Sequence, residues 1–167
     1  MVLSLLNLAK VLHMSNQPLD AIELPATRGE TFNFSALIGK PILIYFYPKD
    51  NTPGCTTQAE QFRDLYPEFQ ALGWAIYGIS RDSLKSHERF KAELNLPFEL
   101  VSDPDEKVCA RFNVIKMKNL YGKQVRGIDR STFVFDAQGM LRKTWRGVKV
   151  AGHGQEVLAF IKTLELS

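Results

Sequence analysis

A chain of 167 residues is most simply one domain and is long enough to bury a sizeable core. Its 45% apolar and 23% charged residues are those of an ordinary soluble globular protein. No repeat, low-complexity tract or long charge run interrupts it, and a formal charge of +3 is too mild to announce a polyanionic partner.

Residues 1–13 are apolar but short. They have no basic start, Lys10 interrupts them, and no small-residue cleavage site follows. They read as an extension over 1–15 of a cytoplasmic protein rather than a signal peptide, with the main domain over 16–167. Met14 offers a second plausible start. Residues 22–24 and 31–34 alternate and flank Ala26-Thr-Arg-Gly29, a hairpin signal. The apolar run 42–47 reads as a buried strand. Ala59, Phe62, Tyr66 and Phe69 share one face of a helix starting near Cys55. Pro67 is expected to kink or end that helix, with Gly73 as its stop. Residues 74–79 form the next buried strand, and Asp82 or Ser83 caps a helix to about Leu94. A short strand over 98–101 leads to Asp103-Pro104-Asp105, which opens a helix carrying Val108, Cys109 and Phe112. Lys116, Lys118, Lys123 and Arg126 read as a basic loop. Ser131–Phe135 and Leu141–Trp145 are strands joined by a turn at Asp136-Ala-Gln-Gly139. Val157, Leu158, Phe160, Ile161 and Leu164 mark a final helix.

Strands alternating with helices, then a hairpin and a last helix, predict an α/β fold with a mixed central sheet flanked by helices. The crossover rule makes 42–47 and 74–79 a parallel pair. This is the order of a thioredoxin-like fold with an N-terminal hairpin. A flavodoxin-like sheet fits the first half, but the terminal hairpin argues against it.

Two cysteines, Cys55 and Cys109, make neither a disulfide framework nor a zinc site of usual spacing, and suit a reducing compartment. Cys55 stands where a strand-to-loop crossover enters a helix. The first amides of a helix lack intrahelical partners, and such a terminus favours the reactive thiolate. His13, His87 and His153 show no metal spacing; His153 reads as a cap or surface residue. Arg142, Lys143, Arg146 and Lys149 form a second basic cluster, read with the first as a solvated rim because no nucleic-acid motif accompanies them. No phosphate loop, dinucleotide fingerprint or haem motif is present.

The segment Pro48-Lys-Asp-Asn-Thr52-Pro53-Gly54-Cys55-Thr resembles the active-site segment of peroxiredoxins, Pro-x-x-x-Thr/Ser-x-x-Cys. Its Thr-Pro-Gly-Cys-Thr form is similar to the Q-type subfamily, the bacterioferritin comigratory proteins. The likeness runs from about Leu19 to Leu164 and includes Ile128-Asp-Arg130-Ser-Thr-Phe-Val. It implies a thiol peroxidase reducing hydrogen peroxide and alkyl hydroperoxides, with a role in antioxidant defence. Cys55 would attack the peroxide as a thiolate and become a sulfenic acid. Thr52 would hydrogen-bond the peroxide or the sulfur, and Pro48 would wall the pocket from water. Arg130 would face the thiolate and polarise the substrate, and the Gly54 amide would help orient it. No metal or cofactor is expected, nor a nucleic-acid or membrane partner, and a monomer is.

Many Q-type relatives carry a second cysteine five residues after the first, where this chain has Glu60, or in the next helix, where Lys91 stands. A one-cysteine cycle is expected, with a two-cysteine cycle as the alternative. In the first, an outside thiol such as glutathione resolves the sulfenic acid, with glutaredoxin or thioredoxin clearing the mixed disulfide. In the second, Cys109 resolves it and thioredoxin is the reductant. A thioredoxin-type oxidoreductase would need cysteine where Thr52 is. A non-enzymatic binding or chaperone module would not need Pro48, Thr52, Cys55 and Arg130 together.

Overall fold

The computed structural model describes residues 21–166, so the extension expected over 1–15 lies outside the described residues. Strands β1 (Glu23–Pro25) and β2 (Thr31–Asn33) pair antiparallel, with Leu24 opposite Phe32. Asn33 accepts from the Ser35 amide at 2.8 Å and so caps the short helix α1 (Phe34–Leu37). In chain order there follow β3 (Ile42–Phe46), α2 (Pro53–Ala71), β4 (Ala75–Ser80), α3 (Leu84–Leu94), β5 (Glu99–Ser102) and α4 (Lys107–Arg111). The chain closes with β6 (Ile115–Leu120), β7 (Lys123–Ile128), β8 (Ser131–Phe135), β9 (Leu141–Trp145) and α5 (His153–Glu165).

The central sheet has five strands in the order β5-β4-β3-β8-β9. β3 pairs parallel with β4 and β4 with β5, while β8 runs antiparallel to both β3 and β9. This is the thioredoxin-like arrangement. The antiparallel β8 beside β3 removes the flavodoxin-like alternative, which would continue with parallel neighbours.

Because side chains alternate along a strand, β3 serves two cores. Ile42, Ile44 and Phe46 pack with Phe32, Val108, Cys109, Phe112 and Phe133 on one face. Leu43, Tyr45 and Tyr47 pack with Cys55, Phe62, Phe69, Val157 and Ile161 on the other. The second face is covered by α2 and α5.

Pro67 does not end α2, which continues to Ala71. An interior proline costs about 3 kcal/mol. Phe62 and Phe69, both fully buried, offset that at about 1.5–3 kcal/mol each. The expected basic loop is instead the antiparallel hairpin β6–β7, with Met117 opposite Arg126 and Lys118 opposite Val125.

Candidate active site

β3 ends where Pro48 withdraws a backbone donor, and Asn51 then takes a left-handed φ of 61° to turn the chain toward α2. Thr52 is the N-cap and Pro53 opens the helix, where its fixed φ fits and its missing N–H is not needed. The first intrahelical bond runs from the Thr56 amide to the Thr52 carbonyl at 2.8 Å. The amides of Gly54 and Cys55 therefore precede the helical ladder. Cys55 lies at this terminus, 2% exposed, with its side chain on the Leu43–Tyr45–Tyr47 face of the sheet.

Arg130 comes from the other side of the sheet sequence, immediately before β8. The antiparallel pairing sets Ser131 opposite Phe46, which brings Arg130 to the end of β3 where the Cys55 loop begins. Its carbonyl accepts from the Val148 amide at 3.0 Å. Its Nη2 donates to Cys55 Sγ at 3.4 Å, and its Nη1 donates to Gln58 Oε1 at 2.7 Å. A fixed guanidinium beside the sulfur stabilises negative charge there and on oxygen leaving it. Gly54 leaves room for this approach. A Cβ at that position would stand 3.2 Å from Arg130 Nη2.

Thr52 and Pro48 are half-buried in the loop that leads into the thiol. The Thr52 hydroxyl donates to the Lys49 carbonyl at 2.8 Å. Its proton is thus committed within the loop, and its oxygen is left to accept from a bound O–H. Tyr45 packs in the same core; burial, then the nearby charge of Cys55, pushes its phenol well above the ordinary range.

The structure thus brings Cys55, Gly54 and Arg130 together and sets Pro48 and Thr52 on the adjoining loop. It adds Gln58, which the sequence reading missed. Gln58 follows Cys55 by one helical turn and is fully buried, so the spacing was its only signal.

Cys109 is elsewhere. It is fully buried in the opposite core, and its amide donates to Asp103 Oδ2 at 2.8 Å. Burial, reinforced by the Asp103 carboxylate, pushes its thiol far above the ordinary range. Glu60 faces Arg63 at 3.7 Å. Lys91 Nζ donates to the carbonyls of Leu96 and Phe98 at 2.9 and 3.0 Å and pairs with Glu99 at 3.2 Å.

Two histidines differ from expectation. His153 is not a surface cap. It is buried, with Nε2 2.8 Å from Thr132 Oγ1, because α5 packs this first turn against β8. His87 is fully buried and meets Asp50 of the active-site loop, with Asp82 close by, a grouping invisible in linear spacing. In the second basic cluster, Arg146 donates to the Phe112 and Asn113 carbonyls and Arg142 to Asp136.

Residues 16–144 match the AhpC/TSA family. The chain is 51% identical over 141 residues to peroxiredoxin Bcp of Xanthomonas campestris, covering 84% of this chain and 88% of the relative. It is 47% identical over 143 residues to peroxiredoxin Bcp of Bacillus subtilis, covering 86% and 91%. A solved structure of the Xanthomonas campestris bacterioferritin comigratory protein, described for its alkyl peroxide reduction activity, superposes with a TM-score of 0.82 at 49% identity, over 87% of this chain and 92% of that one.

Proposed function

The chain belongs to the AhpC/TSA family as a peroxiredoxin of the Bcp kind, a thiol peroxidase, and we propose that it reduces hydrogen peroxide and alkyl hydroperoxides at Cys55 by a one-cysteine cycle. The observation that carries the assignment of Cys55 is the Arg130 Nη2 to Sγ contact at 3.4 Å at the N-terminus of α2.

In the first step the Cys55 thiolate attacks one peroxide oxygen. The S–O bond forms as the O–O bond breaks, and the leaving oxygen takes a proton to become water or an alcohol. Sulfur is oxidised to the sulfenic acid and the peroxide is reduced. Arg130 and the amides of Gly54 and Cys55 face the charge that moves from sulfur to oxygen. Thr52 accepts from the substrate O–H, and Pro48 shields the thiol without offering a competing donor. Access to alkyl hydroperoxides is supported by the activity described for the Xanthomonas campestris relative.

In the second step an external thiol attacks the sulfenic sulfur, releasing water and leaving a mixed disulfide. A second thiol, from glutathione, glutaredoxin or thioredoxin, then regenerates Cys55. Placement of Cys109 in the opposite core, and of Glu60 and Lys91 at the other positions, supports an external resolver. The working unit is a monomer formed by residues 16–167. Peroxide consumption by wild type and Cys55→Ser, with each reductant supplied in turn, tests this reading. Turnover should vanish in the variant and persist in wild type with glutathione-type thiols. Turnover in wild type with thioredoxin alone, lost in Cys109→Ser, would favour the two-cysteine cycle.

A further inference from the structure

Asp50 lies midway between Pro48 and Thr52, yet its side chain is only 3% exposed. Three donors reach its carboxylate. Tyr47 Oη donates to Oδ1 at 2.6 Å and Ser86 Oγ to Oδ2 at 2.8 Å, while His87 Nδ1 lies 2.7 Å from Oδ2. The Asp50 amide donates to Asp82 Oδ2 at 3.0 Å, and Asp82 accepts in turn from Ser80 Oγ. On the other side of the His87 ring, Nε2 faces the Val101 carbonyl at 3.0 Å. A carbonyl only accepts, so Nε2 carries a hydrogen. Nδ1 meets the Asp50 carboxylate, so the ring links the active-site loop to the backbone of β5.

The active-site loop is thereby fastened to β4, α3 and β5. Its other ties are weaker. Pro48 has no amide hydrogen, and among the described residues the Thr52 hydroxyl bonds to the Lys49 carbonyl in the same loop. The left-handed Asn51 makes the turn sharp but does not attach it to the body.

We propose that His87 is a positioning residue for peroxide reduction, acting through Asp50 to hold the loop that carries Pro48 and Thr52 against the Cys55 sulfur. This rests on the peroxidase assignment and concerns residues with no contact to the thiol. A reacting group displaced by about 1 Å can cost on the order of a hundredfold in rate, so the Asp50 carboxylate, which gathers three of the loop's ties, is a point of control.

Two substitutions separate the ring's bonds. In His87→Asn the amide reaches the Nδ1 position and keeps the bond to Asp50. In His87→Gln it reaches toward Nε2, keeps the Val101 bond and leaves Asp50 short of a donor. Both lose one buried hydrogen bond, so a purely structural role moves both alike. The measurement is the rate constant of sulfenic acid formation by stopped flow, beside alkylation of Cys55 by iodoacetamide, which needs the thiolate but not the placement of Pro48 and Thr52. His87→Gln should slow the peroxide reaction by about tenfold or more, and His87→Asn by no more than about threefold. Alkylation should stay within about twofold in both. Peroxide rates that fall equally in the two variants, that do not fall, or that fall only in step with alkylation overturn the proposal. Where His87→Gln does not fold, Ser86→Ala removes one Asp50 donor from a half-buried site, and a peroxide rate lowered by about threefold without slower alkylation supports the proposal, an unchanged ratio overturning it. A wild type inert to peroxide would instead refute the assignment of Cys55.

Discussion

Cys55 and Cys109 lie on opposite faces of the same sheet, Cys55 with Leu43, Tyr45 and Tyr47 and Cys109 with Ile42, Ile44 and Phe46. A disulfide needs Cα atoms within about 7 Å, and the sheet stands between them. Joining them requires α4 or α2 to leave its core. Cys109→Ser is therefore expected to keep turnover with glutathione-type thiols and to lose about 1 kcal/mol of stability, since a smaller hydroxyl replaces a packed thiol at a fully buried position beside Asp103. Steady-state rates and denaturant unfolding check both halves.

Because burial and Asp103 hold the Cys109 thiol protonated, its folded pKa is raised. Its contribution to stability is full below the unfolded thiol range, near 8.5, and is lost as pH rises above it. In the folded protein at neutral pH it should resist iodoacetamide while Cys55 reacts, and it should become labelled in denaturant.

Arg130→Met removes both the charge beside the sulfur and the bond to Gln58. Sulfenic acid formation is expected to slow by about a hundredfold, the order seen when one donor to a developing oxyanion is deleted. Stopped-flow oxidation with hydrogen peroxide reads this directly. A rate within twofold of wild type, an estimate of measurement scatter on the scale of about 0.4 kcal/mol, would show that Arg130 does not act on the reaction.

Gly54→Ala places a methyl 3.2 Å from Arg130 Nη2. The guanidinium must give by a few tenths of an ångström while the helix start, where alanine is well tolerated, stays intact. Peroxide reduction is expected to fall by about tenfold with little change in melting temperature. A drop in stability matching the drop in rate would assign Gly54 to the fold alone.

Burial pushes the His153 pKa down; Glu156 partly opposes this, and Arg130 adds to it. The neutral ring is the form the fold accepts, so the unfolded chain binds the proton more readily. Stability falls as pH drops through the unfolded histidine range, near 6.5, and continues to fall to the depressed folded value. His153→Gln can keep a bond to Thr132 but cannot titrate. Its unfolding free energy should change less between pH 7 and pH 5, about the interval in which histidine titrates, than that of wild type.

The apolar runs of β3 and β4 and the helical period of α2 were legible because burial on both faces, or on one stripe, writes itself into residue type. The place of Cys55 at a helix start was legible because an apolar strand run precedes it and helical spacing follows it. Gln58 was not, since glutamine on a helix ordinarily reads as surface. His87 and Asp50 are 37 residues apart and meet only after α3 folds onto the loop. The β6–β7 hairpin was hidden because most of its residues are exposed on both faces, so no alternation marks it. His153 looked like a surface cap because its burial comes from α5 docking on β8, not from its own neighbours in sequence.

In the proposed cycle Cys55 alone carries the oxidising equivalent. Mass spectrometry of the protein after one equivalent of peroxide, with and without a sulfenic-acid trap, tests it most directly. One added oxygen is expected on the Cys55 peptide, captured by the trap, with Cys109 recovered as a free thiol. A Cys55–Cys109 disulfide in high yield, or oxidation at Cys109 with Cys55 untouched, would contradict it.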